Sequence, residues 1–234
     1  MKIFLFSTGF IDYTIGLANS LSKNNTVCLC LPENTPEGDY KGAIDSRVDF
    51  ISIRTVRQSS FSNIFIMKEV YKLIKNFDPE IIHLQSEGHL FFSILHPFLT
   101  NYRIVNTVHD PKPHAGEKEH IFVKLLHSFN SFFISEYVVH GKHLKSQLSE
   151  YRNINQEVIS ILHHGDYNLY KKWGGKKVNE EDNTILFFGR IWRTSGNCCR
   201  ENKVAAISVY FMYNARLINC IDGIIMTDTP TPQA

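Results

Sequence analysis

The feature that most constrains this chain is an alternation. Short, continuously apolar, β-rich runs are separated by longer segments with helical periodicity. The runs are Lys2–Ser7, Thr26–Leu31, Asp49–Ile53, Ile81–Gln85, Arg103–Val108, Tyr137–His140, Val158–Leu162 and Thr184–Phe188. Several lack the in-out pattern of a half-exposed strand. Continuous apolar runs of this length suit strands covered on both faces by helices. Between them, Tyr13–Lys23, Asn63–Asn76, Lys118–Phe129 and Lys142–Tyr151 read as helices. In the second, Ile64, Met67, Tyr71 and Ile74 recur at three and four residues. Strand–helix alternation of this kind predicts an α/β, Rossmann-like parallel sheet with helices on both faces and right-handed crossovers.

The pattern breaks twice. From Tyr167 to Asn183 the chain is basic, then polar, without strand periodicity, and 170–183 reads as a linker. Thr184–Arg190 then reads as the first strand of a second α/β unit, closed by a glycine turn. After Trp192, Ser195–Asn202 lacks the apolar helix that should follow, and Thr227–Ala234 has the composition of a disordered end. The 42 residues after Trp192 are too few for a second domain of ~100 residues. The expected organisation is a domain over 1–169, the linker, a remnant strand over 184–192 and an irregular tail over 193–234.

Composition narrows the class. The 234 residues are 43% hydrophobic and 21% charged, which suits a globular domain. A net charge of +2 gives no electrostatic drive toward nucleic acid. No apolar run approaches the ~20 residues of a spanning helix. Ile3–Phe6 is too short for a signal peptide and no small-residue cleavage site follows. Five cysteines, three of them at Cys198, Cys199 and Cys220, do not make a disulfide framework. The expectation is a cytoplasmic protein.

Open α/β sheets bind ligands beyond the carboxyl ends of their strands, so the residues following each run are the site candidates. Gly9 follows the first, and suits either a close backbone approach to a ligand or a tight strand–helix turn. Ser86-Glu87-Gly88-His89 follows the fourth. His109-Asp110-Pro111-Lys112-Pro113-His114 follows the fifth, where an imidazole and a carboxylate leave a buried strand together. His140-Gly141-Lys142 reads as a turn and helix start. His163-His164-Gly165-Asp166 follows the seventh run, with Gly165 able to take a positive φ. A metal site would draw on His109, Asp110, His114 and His120, but no His-Glu-x-x-His or paired Cys-x-x-Cys is present, and no metal is expected. Cys28 and Cys30 lie in one buried strand, where we expect them on opposite faces and unable to share an ion. The dinucleotide Gly-x-Gly-x-x-Gly, the P-loop and the Gly-x-Ser-x-Gly elbow are all absent. The first absence weighs against a nicotinamide-dependent reductase.

An ordered set of segments carries a resemblance. It comprises Gly9, Ile81-Ile82-His83-Leu84-Gln85, Thr107-Val108-His109-Asp110, Val138–Lys145, Val158–Gly165 and Ile185–Ile191. In this order they resemble the amino-terminal domain of GT-B glycosyltransferases, in particular the retaining family-4 enzymes, over roughly residues 1–192. The resemblance implies two Rossmann-like halves facing across a cleft, acceptor on the first and nucleotide-diphosphate sugar on the second. It implies retaining transfer to a saccharide or lipid-linked acceptor, no cofactor, and a role in polysaccharide biosynthesis. It makes His109 the catalytic-cleft histidine, and Gly9, Asp110, His163 and Gly165 substrate-binding. Arg190 grips the donor phosphates, where fixed cations stabilise the leaving group. The chain departs from the family after Ile191-Trp192. Ser195 stands where a lysine belongs, and Glu201 is the only glutamate beyond Arg190, so a Glu-x7-Glu pair cannot exist. The expectation is a truncated or frameshifted product, inactive alone. The alternative is a non-catalytic acceptor- or partner-binding module. Ile121-Phe122-Val123 through Phe132-Phe133 is strongly apolar; we expect it to pack in the core, with peripheral contact at the inner face of a membrane as the competing reading.

Overall fold

A computed structural model of the chain describes residues 1–33, 40–54, 56, 60–85, 90–113 and 120–165, and the backbone of 185–187 and 209–211. The chain divides into two compact units. The first comprises Met1–Pro113 and Lys118–Gly175, the second His114–Glu117 and Lys176–Ala234.

The first unit is built on a seven-stranded, wholly parallel sheet. Its strands are β1 (Lys2–Phe6), β2 (Thr26–Pro32), β3 (Val48–Ile53), β4 (Ile81–Leu84), β5 (Arg103–Thr107), β6 (Glu136–Val139) and β7 (Ile159–Ile161). Their order is β3-β2-β1-β4-β5-β6-β7. Strand order therefore reverses between β1 and β4, which opens a crevice at their carboxyl ends. The helices are α1 (Ile11–Leu21), α2 (Asn63–Phe77), α3 (Leu90–Leu95), α4 (Ile121–Ser131) and α5 (Lys142–Arg152).

The sheet's pleat sorts side chains onto two faces. Phe4 and Phe6 of β1 join Cys28 and Cys30 of β2 in one cluster with Met67, Val70 and Ile74 of α2 and Phe92 and Leu95 of α3. Ile3 and Leu5 join Val27, Leu29 and Leu31 on the other, under Ile11, Ile15 and Ala18 of α1. A third cluster packs Leu148 of α5 on Tyr137, Val139 and Ile159. Fully burying one such side chain contributes about 1.5–3 kcal/mol. The alternation corrects one expectation. Cys28 and Cys30 share a face, because residues two apart in a strand point the same way. Burial, and then Asp49, pushes the Cys28 thiol up to about 12, and burial raises Cys30 as well, so both are protonated packing groups.

Two further findings differ from the sequence reading. Helix α4 contributes little to the core. Leu126 and Asn130 are its buried residues, while Ile121, Phe122, Leu125 and Phe129 are exposed, as is Phe132 beyond its end. In the second unit, β8 (Ile185–Phe187) pairs antiparallel with β9 (Val209–Phe211). A strand thus lies inside the stretch expected to be irregular, and its pairing with β8 is antiparallel. The remainder of 170–234 lies outside the described residues. Among the described residues no helix is long and apolar enough to cross a membrane.

Candidate functional site

Three adjacent parallel strands each deliver a histidine just past their carboxyl ends. His109 follows β5, His140 follows β6 and His164 follows β7. Strand spacing of ~4.8 Å sets their separation. The ring centroids of His109 and His140 are 4.9 Å apart, and those of His140 and His164 4.8 Å apart. Each offers one ring nitrogen, and the three nitrogens lie within 4.8 Å of one another. Tyr13, in the first turn of α1, meets all three rings edge-on at 5.0–5.2 Å.

Hydrogen bonds orient the rings. His140 Nδ1 donates to the carbonyl of Leu162 at 2.9 Å, which leaves Nε2 as the lone-pair nitrogen. That Nε2 is buried without a hydrogen-bond partner among the described residues. His109 Nε2 donates to Gln85 Oε1 at 3.4 Å. The same Gln85, fully buried at the end of β4, donates through Nε2 to His83 Nε2 at 3.2 Å, and the Thr107 hydroxyl donates to that atom at 2.8 Å. A side-chain chain thus runs across β4 and β5 to His109. Arg152 at the end of α5 donates to the Pro111 carbonyl and ties down the loop that follows His109. Burial, followed by the charges of His140 and His164, brings His109 down to about 4. Burial lowers His140 too, against the opposing pull of the Leu162 carbonyl. At neutral pH both are neutral imidazoles with a lone pair to offer.

The turn after β1 closes the site. Phe10 stacks on His109 with ring centroids 3.7 Å apart and planes 14° from parallel. Phe10 also holds φ 52° and ψ 43°, the left-handed region, at the N-cap of α1. This conformation costs an aromatic residue roughly 1–2 kcal/mol, part of which the stack offsets by about 0.5–1.5 kcal/mol. Such strain persists where surrounding structure fixes it, commonly at ligand sites. Phe10 provides no side-chain cap to α1, whose first turn opens on this loop.

The expected site residues fare differently. His109 lies at the centre of the cluster. Gly9 adjoins Phe10 in the β1 turn, and a Cβ there would meet open space. The positive φ of that turn falls on Phe10 and not on Gly9. Gly165 also has open space around it and does not adopt a positive φ, so its expected conformational role is not realised. Asp110 and His163 are exposed. Of the pair at the end of β7, it is His164 that contacts Tyr13 and His140. Arg190, His114, Asp166 and Ser86–His89 lie outside the described residues. His120, considered as a metal ligand, accepts a hydrogen bond from the Phe122 amide and caps α4. The sequence reading missed His140, Gln85, Tyr13 and Phe10 as site residues; His140 and Gln85 stand directly beyond a strand's carboxyl end, while Phe10 and Tyr13 belong to the turn after β1 and the start of α1.

The fold has known counterparts. Over 71% of this chain and 45% of its own, HepE of Anabaena, in complex with UDP and glucose, superposes with a TM-score of 0.53 at 14% identity. The UDP-N-acetylglucosamine 2-epimerase of Rickettsia bellii gives 0.56 at 7% identity over 74% and 47% of the two chains. The sucrose-phosphate synthase of Thermosynechococcus elongatus gives 0.54 at 11% identity over 70% and 48%. The chain therefore spans less than half the length of these structures. At such identities they show a shared GT-B half, and the epimerase among them shows that this fold serves more than one reaction. No curated protein sequence matches the chain. A family model described as "Glycosyl transferase 4-like" matches residues 2–136, more than half of the chain and the stretch that carries β1 to β5, Gly9 and His109. On that match, the sheet with its crevice beyond β1 and β4 belongs to a member of the glycosyl transferase 4-like family.

Proposed function

We propose that this chain supplies the acceptor-side half of a retaining glycosyltransferase that moves a sugar from a nucleotide diphosphate to a saccharide or lipid-linked acceptor. The observation that carries the reading is His109. It stands at the carboxyl end of β5, anchored through Gln85 and stacked on Phe10, within the segment matched by the family model. A neutral imidazole fixed there is suited to hydrogen-bond a sugar hydroxyl or the departing glycosidic oxygen. The Gly9 turn, with no side chain in the way, leaves room for phosphates near the amino end of α1. Asp110, His163 and Gly165 line the exposed rim, where an acceptor would approach; Arg190 is assigned the donor diphosphate. The chemistry needs no resident cofactor, because the diphosphate leaving group can be stabilised by fixed cations and amides. That HepE is seen with UDP and with UDP-glucose supports a nucleotide donor. The exposed apolar face of α4, with Ile121, Leu125 and Phe129, is suited to rest on a membrane that presents a lipid-linked acceptor, in line with a proposed position at the cytoplasmic face.

Calorimetric titration of the chain with UDP, GDP and their hexose conjugates tests the reading. We expect micromolar binding of one nucleotide, weakened at least ~10-fold by His109→Ala, a loss of about 1.4 kcal/mol. Equal affinity in the variant would remove His109 from the site. No binding to the chain at all would leave the acceptor-side module as the whole of its function.

A further inference from the structure

We propose that His109, His140 and His164 form a binding site for one divalent transition-metal ion of the zinc class. The proposal draws on His109, whose one remaining ring nitrogen can serve either the ion or a sugar hydroxyl, and its test reads the metal alone, so that its failure leaves the nucleotide-sugar reading standing.

The argument is geometric. The ligand nitrogens come from three consecutive strands of one rigid sheet and lie within 4.8 Å of one another. Around a tetrahedral zinc with bonds of 2.0–2.1 Å, nitrogens stand roughly 3.4 Å apart. The widest pair must therefore close by a little over ~1 Å, which a side-chain rotation supplies. His164, exposed beyond the end of β7, is the ring with room to make it. The other two are already held as metal-binding histidines are held. In such sites the second ring nitrogen donates to a carbonyl or carboxylate, which fixes the tautomer and directs the first nitrogen to the ion. His140 does this to the Leu162 carbonyl and His109 to the Gln85 amide oxygen. His140 Nε2, the nitrogen left over, is buried with no hydrogen-bond partner among the described residues. A bound ion would satisfy it.

The donor set selects the ion. Three imidazoles and no carboxylate suit zinc, cobalt, nickel or copper over magnesium, calcium or manganese. Three protein ligands leave a fourth position for water or an anionic oxygen, the arrangement of open zinc sites. Tyr13, edge-on to all three rings, walls one side.

The test uses the full chain without an affinity tag, titrated with Co²⁺ by visible absorption and with Zn²⁺ in competition. We expect one Co²⁺ per chain with the intense bands of tetrahedral coordination, displaced by Zn²⁺ and untouched by excess Mg²⁺. His140→Ala and His164→Ala should each weaken Co²⁺ binding by more than ~100-fold, beyond the upper end of what loss of an outer-shell partner costs. His143→Ala, an exposed helical histidine paired with Gln147, should leave it unchanged. His164 is exposed, so its variant carries the test should His140→Ala fail to fold, as judged by circular dichroism. Wild-type binding no tighter than that of His164→Ala, an equal loss in His143→Ala, or octahedral-type spectra displaced by Mg²⁺ would each overturn the proposal.

Discussion

Two groups of histidines in this molecule invite comparison, the interior His83 and His96 and the strand-end His109, His140 and His164, and burial alone does not tell them apart. In the interior, His83 of β4 accepts hydrogen bonds from Thr107 and Gln85, and His96, just after α3, donates to Asn130 of α4 between the rings of Phe92 and Phe133. Burial takes both to about 4, the same level as His109 at the strand ends. His96 even shares with His140 a buried Nε2 that has no hydrogen-bond partner among the described residues. The difference is company. The interior imidazoles meet neutral hydroxyls, amides and aromatic rings, whereas His109, His140 and His164 meet each other. A depressed histidine is thus a statement about solvent, while a converging set of lone pairs is a statement about a ligand.

The largest expected effect is the pH dependence of stability, in which the interior pair and His109 share. Above pH 6.5 neither His83 nor His96 is charged in either state, so they make stability independent of pH. Below 6.5 the unfolded chain takes up protons that the folded chain refuses until about pH 4, so stability falls across that window. At 1.36 kcal/mol per pKa unit the two together remove roughly 7 kcal/mol at most, and His109 adds to the loss in the same window. Urea unfolding at pH 7.5 and pH 4.5 measures this, and His83→Gln should recover up to about a third. A midpoint that does not move between the two pH values would erase the interior class. A smaller effect is expected at Gln85, which hydrogen-bonds to His83 on one side and His109 on the other. Gln85→Leu should cost about 1–2 kcal/mol of stability and weaken Co²⁺ binding about 10-fold. Unaltered Co²⁺ affinity would mean that the edge cluster needs no support from the interior. The smallest is at Phe10. Phe10→Gly relieves the left-handed penalty and loses the stack, so the net change should stay under ~1 kcal/mol. The His109 titration, followed by NMR, should nevertheless move up from about 4 toward the ordinary histidine range as solvent reaches the ring.

Much of this was legible in the sequence. Seven strands of the sheet begin and end within a residue or two of the apolar runs, because a strand buried on both faces has no choice of composition. Helix α2 was equally plain, since lysines oppose its apolar stripe. Helix α3 was not. Leu90–Leu95 is six residues of nearly unbroken apolarity, too short to show a period, and Pro97 follows at once. The exposed face of α4 was misjudged for a related reason: composition records how apolar a helix is, and only its neighbours decide which side is covered. For the site, His109 was legible from its place after a long buried strand. His140 was not, because its importance depends on β6 lying between β5 and β7, and hydrophobicity does not encode strand order. Nor could the choice between His163 and His164 be read, since it turns on where β7 stops and a shift of one residue reverses the side.

The strand order has a consequence for how the chain comes into being. β1 is made first yet lies in the middle of the sheet, and its second neighbour arrives 78 residues later, when Ile81 reaches Ile3. No hairpin in this sheet lets adjacent strands find each other locally. Every pairing waits on a crossover, so the contacts that define the fold are distant in sequence and assembly is correspondingly slow. During synthesis β1, β2 and β3 can zip while one edge of β1, with Phe4 and Phe6 beside it, still has no neighbour. A chain of this topology spends its early life as half a sheet with an open seam, and the ribosome-bound interval before β4 emerges is when it is most exposed to sticking to another copy of itself.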